Sequence, residues 1–318
     1  MGSLRATVTG LALASVMAVA GCQGGVDGVF GAKANRPIPA HLKKEMKAKG
    51  MTEASPIMVR LFKEENVAEV WKQTDKGEYA MLAEYEICAW SGKLGPKYKE
   101  GDKQAPEGFY SIKPWQMNPN SDYYLSFNLG YPNAYDQSHN RTGSHLMVHG
   151  ACSSAGCYSM TDERIAEIYA LAREAFEGGQ TEFQVQAYPF RMTAENMARH
   201  KDDPHFGFWK MIKQGYDHFE ITKRPPKVDV CEKRYVFNQV AEDEKAKFRP
   251  SGACPDAAMP ESLAMAYSRK VTEDEEIFRQ VLNKQEVKAK WRGDPQDLVA
   301  AKASLAPEEE PAEEAATE

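Results

Sequence analysis

His145-Leu146-Met147-Val148-His149-Gly150-Ala151-Cys152-Ser153-Ser154-Ala155-Gly156-Cys157-Tyr158-Ser159-Met160-Thr161 is the stretch on which the reading of this chain turns. Its first five residues make a short apolar strand that stops at Gly150, and a loop of small residues follows. Thr161, with Asp162 and Glu163 in the next turn, then opens a helix whose apolar residues Ile165, Ile168, Tyr169, Leu171 and Ala172 recur at helical spacing as far as Gly178-Gly179. The pattern predicts that the strand carries His149 to one end of the loop and that the loop carries Cys157 to the foot of the helix. Such a place suits a nucleophile, because a helix N-terminus and a nearby imidazolium both favour thiolate over thiol and lower a cysteine pKa from about 8.5. Gly156 lets backbone N–H groups turn toward a developing oxyanion, an effect of about 3 to 4 kcal/mol per donor. Gly150 ends the strand, and Ser154 is placed to orient the loop or the imidazole. His145, four residues before His149 and so on the same strand face, reads as a packed supporting residue rather than a base.

Outward from this stretch, short strands alternate with loops rich in Gly, Pro, Asn and Asp. Ile57 to Phe62, Tyr79 to Trp90, Tyr123 to Leu129 and Phe183 to Tyr188 each predict a strand, and the loops run from Ser91 to Gly108 and from Tyr131 to Gly143. Two shorter helices are expected next, one capped by Thr193 and one over Phe206 to Lys213, before a last strand near Phe219 to Thr222. Pro225-Pro226 marks a boundary. The class predicted is α+β, with a β-rich domain over residues 57–225 and flanking helices.

The ends of the chain read differently. Arg5 followed by the apolar run Leu11 to Ala20 is an export signal, too short to span a bilayer by itself. Ala18-Val19-Ala20 would serve as an ordinary cleavage site. Val19-Ala20-Gly21-Cys22, however, resembles a bacterial lipobox, and a cysteine directly after the apolar run favours lipidation of Cys22. The folded body is then expected in the periplasm, held at a membrane by lipid chains. Residues 23–56 read as a tether and a short helix, 226–283 as a small extension, and 284–318 as a charged tail, disordered after Leu305. Six glutamates between Pro307 and Glu318 account for the formal charge of -6, so the rest is balanced at 40 acidic and 40 basic residues. No basic stripe suited to a phosphate backbone is present, and nucleic acid is not an expected partner.

With Cys22 set aside, Cys88, Cys152, Cys157, Cys231 and Cys254 remain. Their odd number leaves at least one thiol unpaired in an oxidising compartment. Cys231 and Cys254 share the extension and are the expected disulfide. Cys152 could pair with Cys88, sit idle or line the site, and idle is the first expectation.

The residues resemble the YkuD-type L,D-transpeptidase domain, and within it most closely the YafK-like subgroup. His149-Gly150 and Ser154-Ala155-Gly156-Cys157 carry the likeness, with Trp90 to Lys97, Pro106 to Tyr110, Asn128 to Asp136, Pro189 to Thr193 and Gly215-Tyr216-Asp217 extending it over roughly Ile57 to Pro225. The resemblance implies a cysteine peptidyltransferase or peptidase without cofactor or metal. Cys157 would attack a stem-peptide carbonyl of peptidoglycan and form an acyl-enzyme. Release to an amine would make a crosslink or attach a lysine-terminated envelope lipoprotein; release to water would free such a lipoprotein. Two departures stand out: Ala155 replaces the usual second histidine, and Ser159 stands where many relatives place an arginine. Substrate carboxylates must therefore find another partner. Arg141 is the candidate, with Tyr131 as a further substrate contact.

Three other readings compete. An isolated Cys157 could be an inert buried thiol. His145, His149, Cys152 and Cys157 form a compact set of possible zinc ligands, although oxidising compartments disfavour thiolate zinc sites and the spacing fits no common motif. A non-catalytic lipoprotein that binds peptidoglycan is the third, and the retention of both Cys157 and His149 argues against it.

Overall fold

The computed structural model describes residues 32–290. The export segment with Cys22 and the end of the charged tail lie outside the described residues. Helix α1 (Ala40–Ala48) packs Leu42 and Met46 onto the body. Strands β1 (Ile57–Phe62), β2 (Val67–Gln73), β3 (Tyr79–Glu86), β5 (Gly108–Ile112) and β10 (Phe183–Tyr188) form one sheet in the order β3-β2-β1-β10-β5. Every residue of β1 is buried, as expected of a strand covered on both faces. Even Arg60 lies inside, its guanidinium among the rings of Phe62, Tyr188, Tyr216 and Phe219 and 2.6 Å from Glu220.

A second sheet, in the order β4-β9-β8-β7-β6, is made of shorter strands: β4 (Ala89–Trp90), β6 (Met117–Asn118), β7 (Ser126–Asn128), β8 (Met147–His149) and β9 (Tyr158–Ser159). The run from Tyr79 to Trp90 is thus not one strand. It breaks at Ile87-Cys88 and passes from the first sheet to the second. Helix α2 (Ala134–Ser138) follows β7, capped by Asn133. The long helix α3 (Asp162–Glu177), capped by Thr161 as the sequence predicts, lies against β1 of one sheet and β7 and β8 of the other. Its Ile165, Ile168, Leu171 and Ala172 are fully buried there, and these four residues join the two sheets into one core.

Thr193 caps α4 (Ala194–Arg199). The strand expected near Phe219 is instead the end of helix α5 (Phe206–Thr222), whose buried Trp209, Ile212, Tyr216 and Phe219 keep a spacing of three and four. Gly215 belongs to the same face, because a β-carbon there would stand 2.4 Å from Phe109 and 2.5 Å from Phe237. Beyond Pro226, β11 (Val228–Cys231) pairs with β12 (Arg234–Phe237), and β13 (Val240–Ala241) with β14 (Ala257–Ala258). Cys231 and Cys254 are joined as expected, Cα to Cα 5.1 Å. Helix α6 (Glu261–Lys290) then runs back over α4 and α5 and crosses the expected start of the tail at Lys284. Leu263, Tyr267, Val271 and Phe278 make its inner stripe, thinned by charge and therefore weak as a sequence signal.

The loop from Ser91 to Gly108 is anchored by a buried ion pair. Lys63 Nζ lies 2.9 Å from Glu107 Oε1 and donates to the carbonyl of Gly95 at 2.9 Å, while Glu107 accepts from Gly95 N and Trp209 Nε1. Burial pushes the Lys63 amine down, and Glu107 pulls it back. Both side chains are fully buried, so Lys63→Met should leave a charge without its partner and destabilise the protein by about 3 to 5 kcal/mol. A chemical-denaturation midpoint unchanged from wild type would contradict this account of the loop.

Candidate active site

The site is organised by two parallel neighbours, β8 and β9. Val148 lies opposite Tyr158 and His149 opposite Ser159, so Met147 falls level with Cys157. Val148 and Tyr158 point into the core and are buried. By strand alternation, Met147, His149 and Cys157 share the other face. There they line a pocket of about 450 Å³ with Asn118, Ser121, Asp122, Tyr123, His145, Ser153, Ser154 and Ala155. Cys157 is the free cysteine among the described residues and is half-buried.

His149 is 4% exposed, and its ring packs on that of Tyr123 with centroids 4.7 Å apart. Its Nδ1 lies 2.6 Å from the carbonyl of Gly150. A carbonyl can only accept, so Nδ1 carries the proton and Nε2 is left with its lone pair. Burial also pushes the imidazole pKa down, which keeps the ring neutral. Gly150 is required by contact rather than by torsion: a β-carbon there would meet Asp162 Oδ1 at 2.6 Å and the Tyr123 carbonyl at 2.9 Å. No hydrogen bond joins His149 to Cys157 in the resting geometry.

Cys157 departs from the sequence expectation in one respect. Strand β9 and Met160-Thr161 intervene in the chain between it and α3, so Cys157 is not at the foot of that helix. Burial raises the thiol pKa, opposed by the N–H of Met147, which lies 3.4 Å from Sγ, and by the charge of Lys97. Burial thus works against charge on both groups, and so against a preformed thiolate and imidazolium.

Ser154 holds the loop. Its Oγ accepts from Gly156 N at 3.3 Å and Cys157 N at 3.2 Å, donates to the Cys157 carbonyl at 2.7 Å and approaches Ser91 Oγ at 3.3 Å. The two N–H groups thus converge on one oxygen. Gly156 has φ +134°, a conformation that L side chains rarely adopt. Ala151 and Cys152 also take left-handed torsions, φ 63° and 47°, as does His145 at 53°. Strain of this kind, about 1 to 3 kcal/mol per residue, gathers at functional sites.

Several expected residues lie elsewhere. Arg141 does not line the pocket: its guanidinium is committed to Asp136 at 2.8 Å and enclosed by Tyr98, Tyr135 and Phe208. His145 is exposed and lines the pocket rather than packing, because β8 begins only at Met147 and the left-handed His145 breaks the strand pattern. Cys152 is not idle but is bonded to Cys88, Cα to Cα 5.3 Å, which removes a thiolate from the zinc set. Tyr131 lines a wider groove of about 940 Å³ that shares Asn118, His145 and Met147 with the pocket and also holds Trp115, 76% exposed. The sequence offered little signal for Asn118, Ser121 or Tyr123, whose part in the site depends on where the chain between β6 and β7 passes.

Residues 59–185 match the YkuD family, the L,D-transpeptidase catalytic domain. The Escherichia coli (strain K12) protein named "Putative L,D-transpeptidase YafK" is 45% identical over 198 residues, which cover 62% of this chain and 79% of the relative. Among solved structures, the helical cell shape determining protein Pgp2 of Campylobacter jejuni is similar with 18% identity and a TM-score of 0.34, covering 60% of this chain and 81% of that one. Bd1075 of Bdellovibrio bacteriovorus has 21% identity and a TM-score of 0.29, covering 54% and 62%. The match to YafK, at this identity and over this share of its length, is what establishes that the chain belongs to the L,D-transpeptidase family.

Proposed function

We propose that this chain is a cell-envelope cysteine L,D-transpeptidase that acts on peptidoglycan stem peptides through an acyl-enzyme on Cys157. The observation that carries the reading is one pocket holding a free cysteine beside a histidine whose Nδ1 is fixed on a carbonyl. With Nε2 free to accept, His149 takes the thiol proton as the sulfur attacks the stem-peptide carbonyl. A C–S bond forms, the C–N bond breaks, and His149 returns the proton to the leaving amine. An acceptor amine or water then attacks the thioester and Cys157 leaves as the thiol: an amine gives a crosslink or an attached lipoprotein, and water completes a hydrolysis in which a bound lipoprotein has already departed as the leaving amine. The oxyanion competes with Ser154 Oγ for the N–H groups of Gly156 and Cys157, which already point to one place. Tyr131 belongs to the groove through which a substrate chain would leave the pocket. Lipidation at Cys22 would keep this body at a membrane face of the periplasm.

Purified protein incubated with defined muropeptides, with and without lipoprotein attached, should yield products identifiable by mass spectrometry and a mass adduct on Cys157. Crosslinked or lipoprotein-bearing products indicate transfer, and free lipoprotein indicates hydrolysis. Binding of muropeptides with no adduct and no product would establish the non-catalytic alternative instead.

A further inference from the structure

We infer that the Cys88–Cys152 disulfide is a positioning element of the active site, clamping the loop that bears Cys157 so that its reduction slows the enzyme without touching the nucleophile. The inference rests on the proposed role of Cys157. The loop leaves β8 after His149 and returns in β9 at Tyr158, and between these points Ala151, Cys152, Ser153 and Ala155 are exposed, so apolar packing does little to hold it. A small set of polar ties does the holding: Ala151 N to Asp162 Oδ1 at 2.8 Å, Cys152 N to the Met160 carbonyl at 3.2 Å, and the contacts of Ser154. Against them stand two successive left-handed non-glycine residues, Ala151 and Cys152, which an unrestrained loop would relax.

The disulfide acts across this weak segment. Cys88 N donates to the Ser159 carbonyl at 2.9 Å, and the next two residues pair with β9, Ala89 with Ser159 and Trp90 with Tyr158. Cys88 therefore rides on the strand bonded to the residues directly after Cys157, while Cys152 sits three residues after His149. The bond joins the outgoing limb of the loop to the frame of its returning limb, adding a covalent tie to the pairing of β8 with β9 that already holds the histidine and the thiol on neighbouring strands. Misplacement of a reacting group by about 1 Å can cost about 100-fold in rate.

Two measurements test this. In Cys88→Ala/Cys152→Ala, kcat on a defined muropeptide should fall at least about tenfold with KM within about twofold, and the pH midpoint for alkylation of Cys157 by iodoacetamide should move down as the loosened loop rehydrates the thiol. The same shifts should follow when dithiothreitol reduces Cys88–Cys152 to two thiols, itself closing to a cyclic disulfide, in a Cys231→Ala/Cys254→Ala background, and reoxidation should reverse them. Alkylation needs no peptidoglycan, so this inference and the proposed substrate fail separately: an inactive wild type condemns the second, whereas a folded, clamp-free protein with wild-type kcat and alkylation profile overturns the first. Global unfolding on reduction, with no folded slow species, would also overturn it, since the bond would then serve the whole fold and not the loop.

Discussion

Cys157→Ala should reduce peptidoglycan turnover by about 1000-fold or more, the largest effect expected of any single change, and should remove the acyl-enzyme adduct altogether. The sulfur is the attacking atom of the proposed mechanism, and no other free thiol among the described residues can replace it, because Cys88, Cys152, Cys231 and Cys254 are all paired. Little change in stability is expected, since the half-buried side chain makes only weak contacts, with Met147 N and with the His145 carbonyl at 3.7 Å. Turnover assays and intact-mass spectra on the same preparation would decide it. Substantial residual turnover with normal folding would place the nucleophile elsewhere.

His149→Ala should cost about 100- to 10,000-fold in kcat, the range for loss of a positioned general base. Its pH behaviour is more diagnostic. Burial lowers the imidazole pKa, so the base stays deprotonated at neutral pH and activity should fall only on the acid side of the usual histidine range of about 6.5. Burial raises the Cys157 thiol, so alkylation in the absence of substrate should titrate above the ordinary cysteine value of about 8.5 and not below it. A neutral imidazole adds no charge beside the sulfur. Alkylation midpoints of wild type and His149→Ala should therefore lie close together while their turnover differs widely. A wild-type midpoint well below 8, returning toward 8.5 in the variant, would instead reveal a preformed ion pair.

The fold was legible where one residue pattern had one physical solution. The run from Ile57 to Phe62, apolar but for Arg60, and the run from Phe183 to Tyr188 became neighbouring central strands, with those boundaries, and Thr161 capped the helix its pattern announced. Phe219 to Thr222 misled because a short apolar run does not distinguish a strand from the end of a buried helix, and the spacing that decides begins ten residues earlier at Trp209. That His149 and Cys157 share one pocket agrees with the short loop of small residues between them, but two long-range facts could not be read from it. The pairing of Cys152 with Cys88 spans 64 residues, and the pairing of β9 with β8 inserts a strand between Cys157 and the helix thought to activate it. Arg141 was read as a cation near the site, whereas Asp136, five residues away, had already claimed it.

The burial of Cys157, which works against its thiolate, has a chemical consequence beyond turnover. Peroxides and other oxidants attack thiolates far faster than thiols, and the first product, a sulfenic acid, can be carried on to forms that are not reversed. A nucleophile stored as a recessed thiol is therefore shielded from oxidative damage while idle and becomes vulnerable only during the moment in which a substrate carbonyl is there to consume it. The same burial that disfavours the thiolate at rest would thus slow oxidation of this cysteine between turnovers.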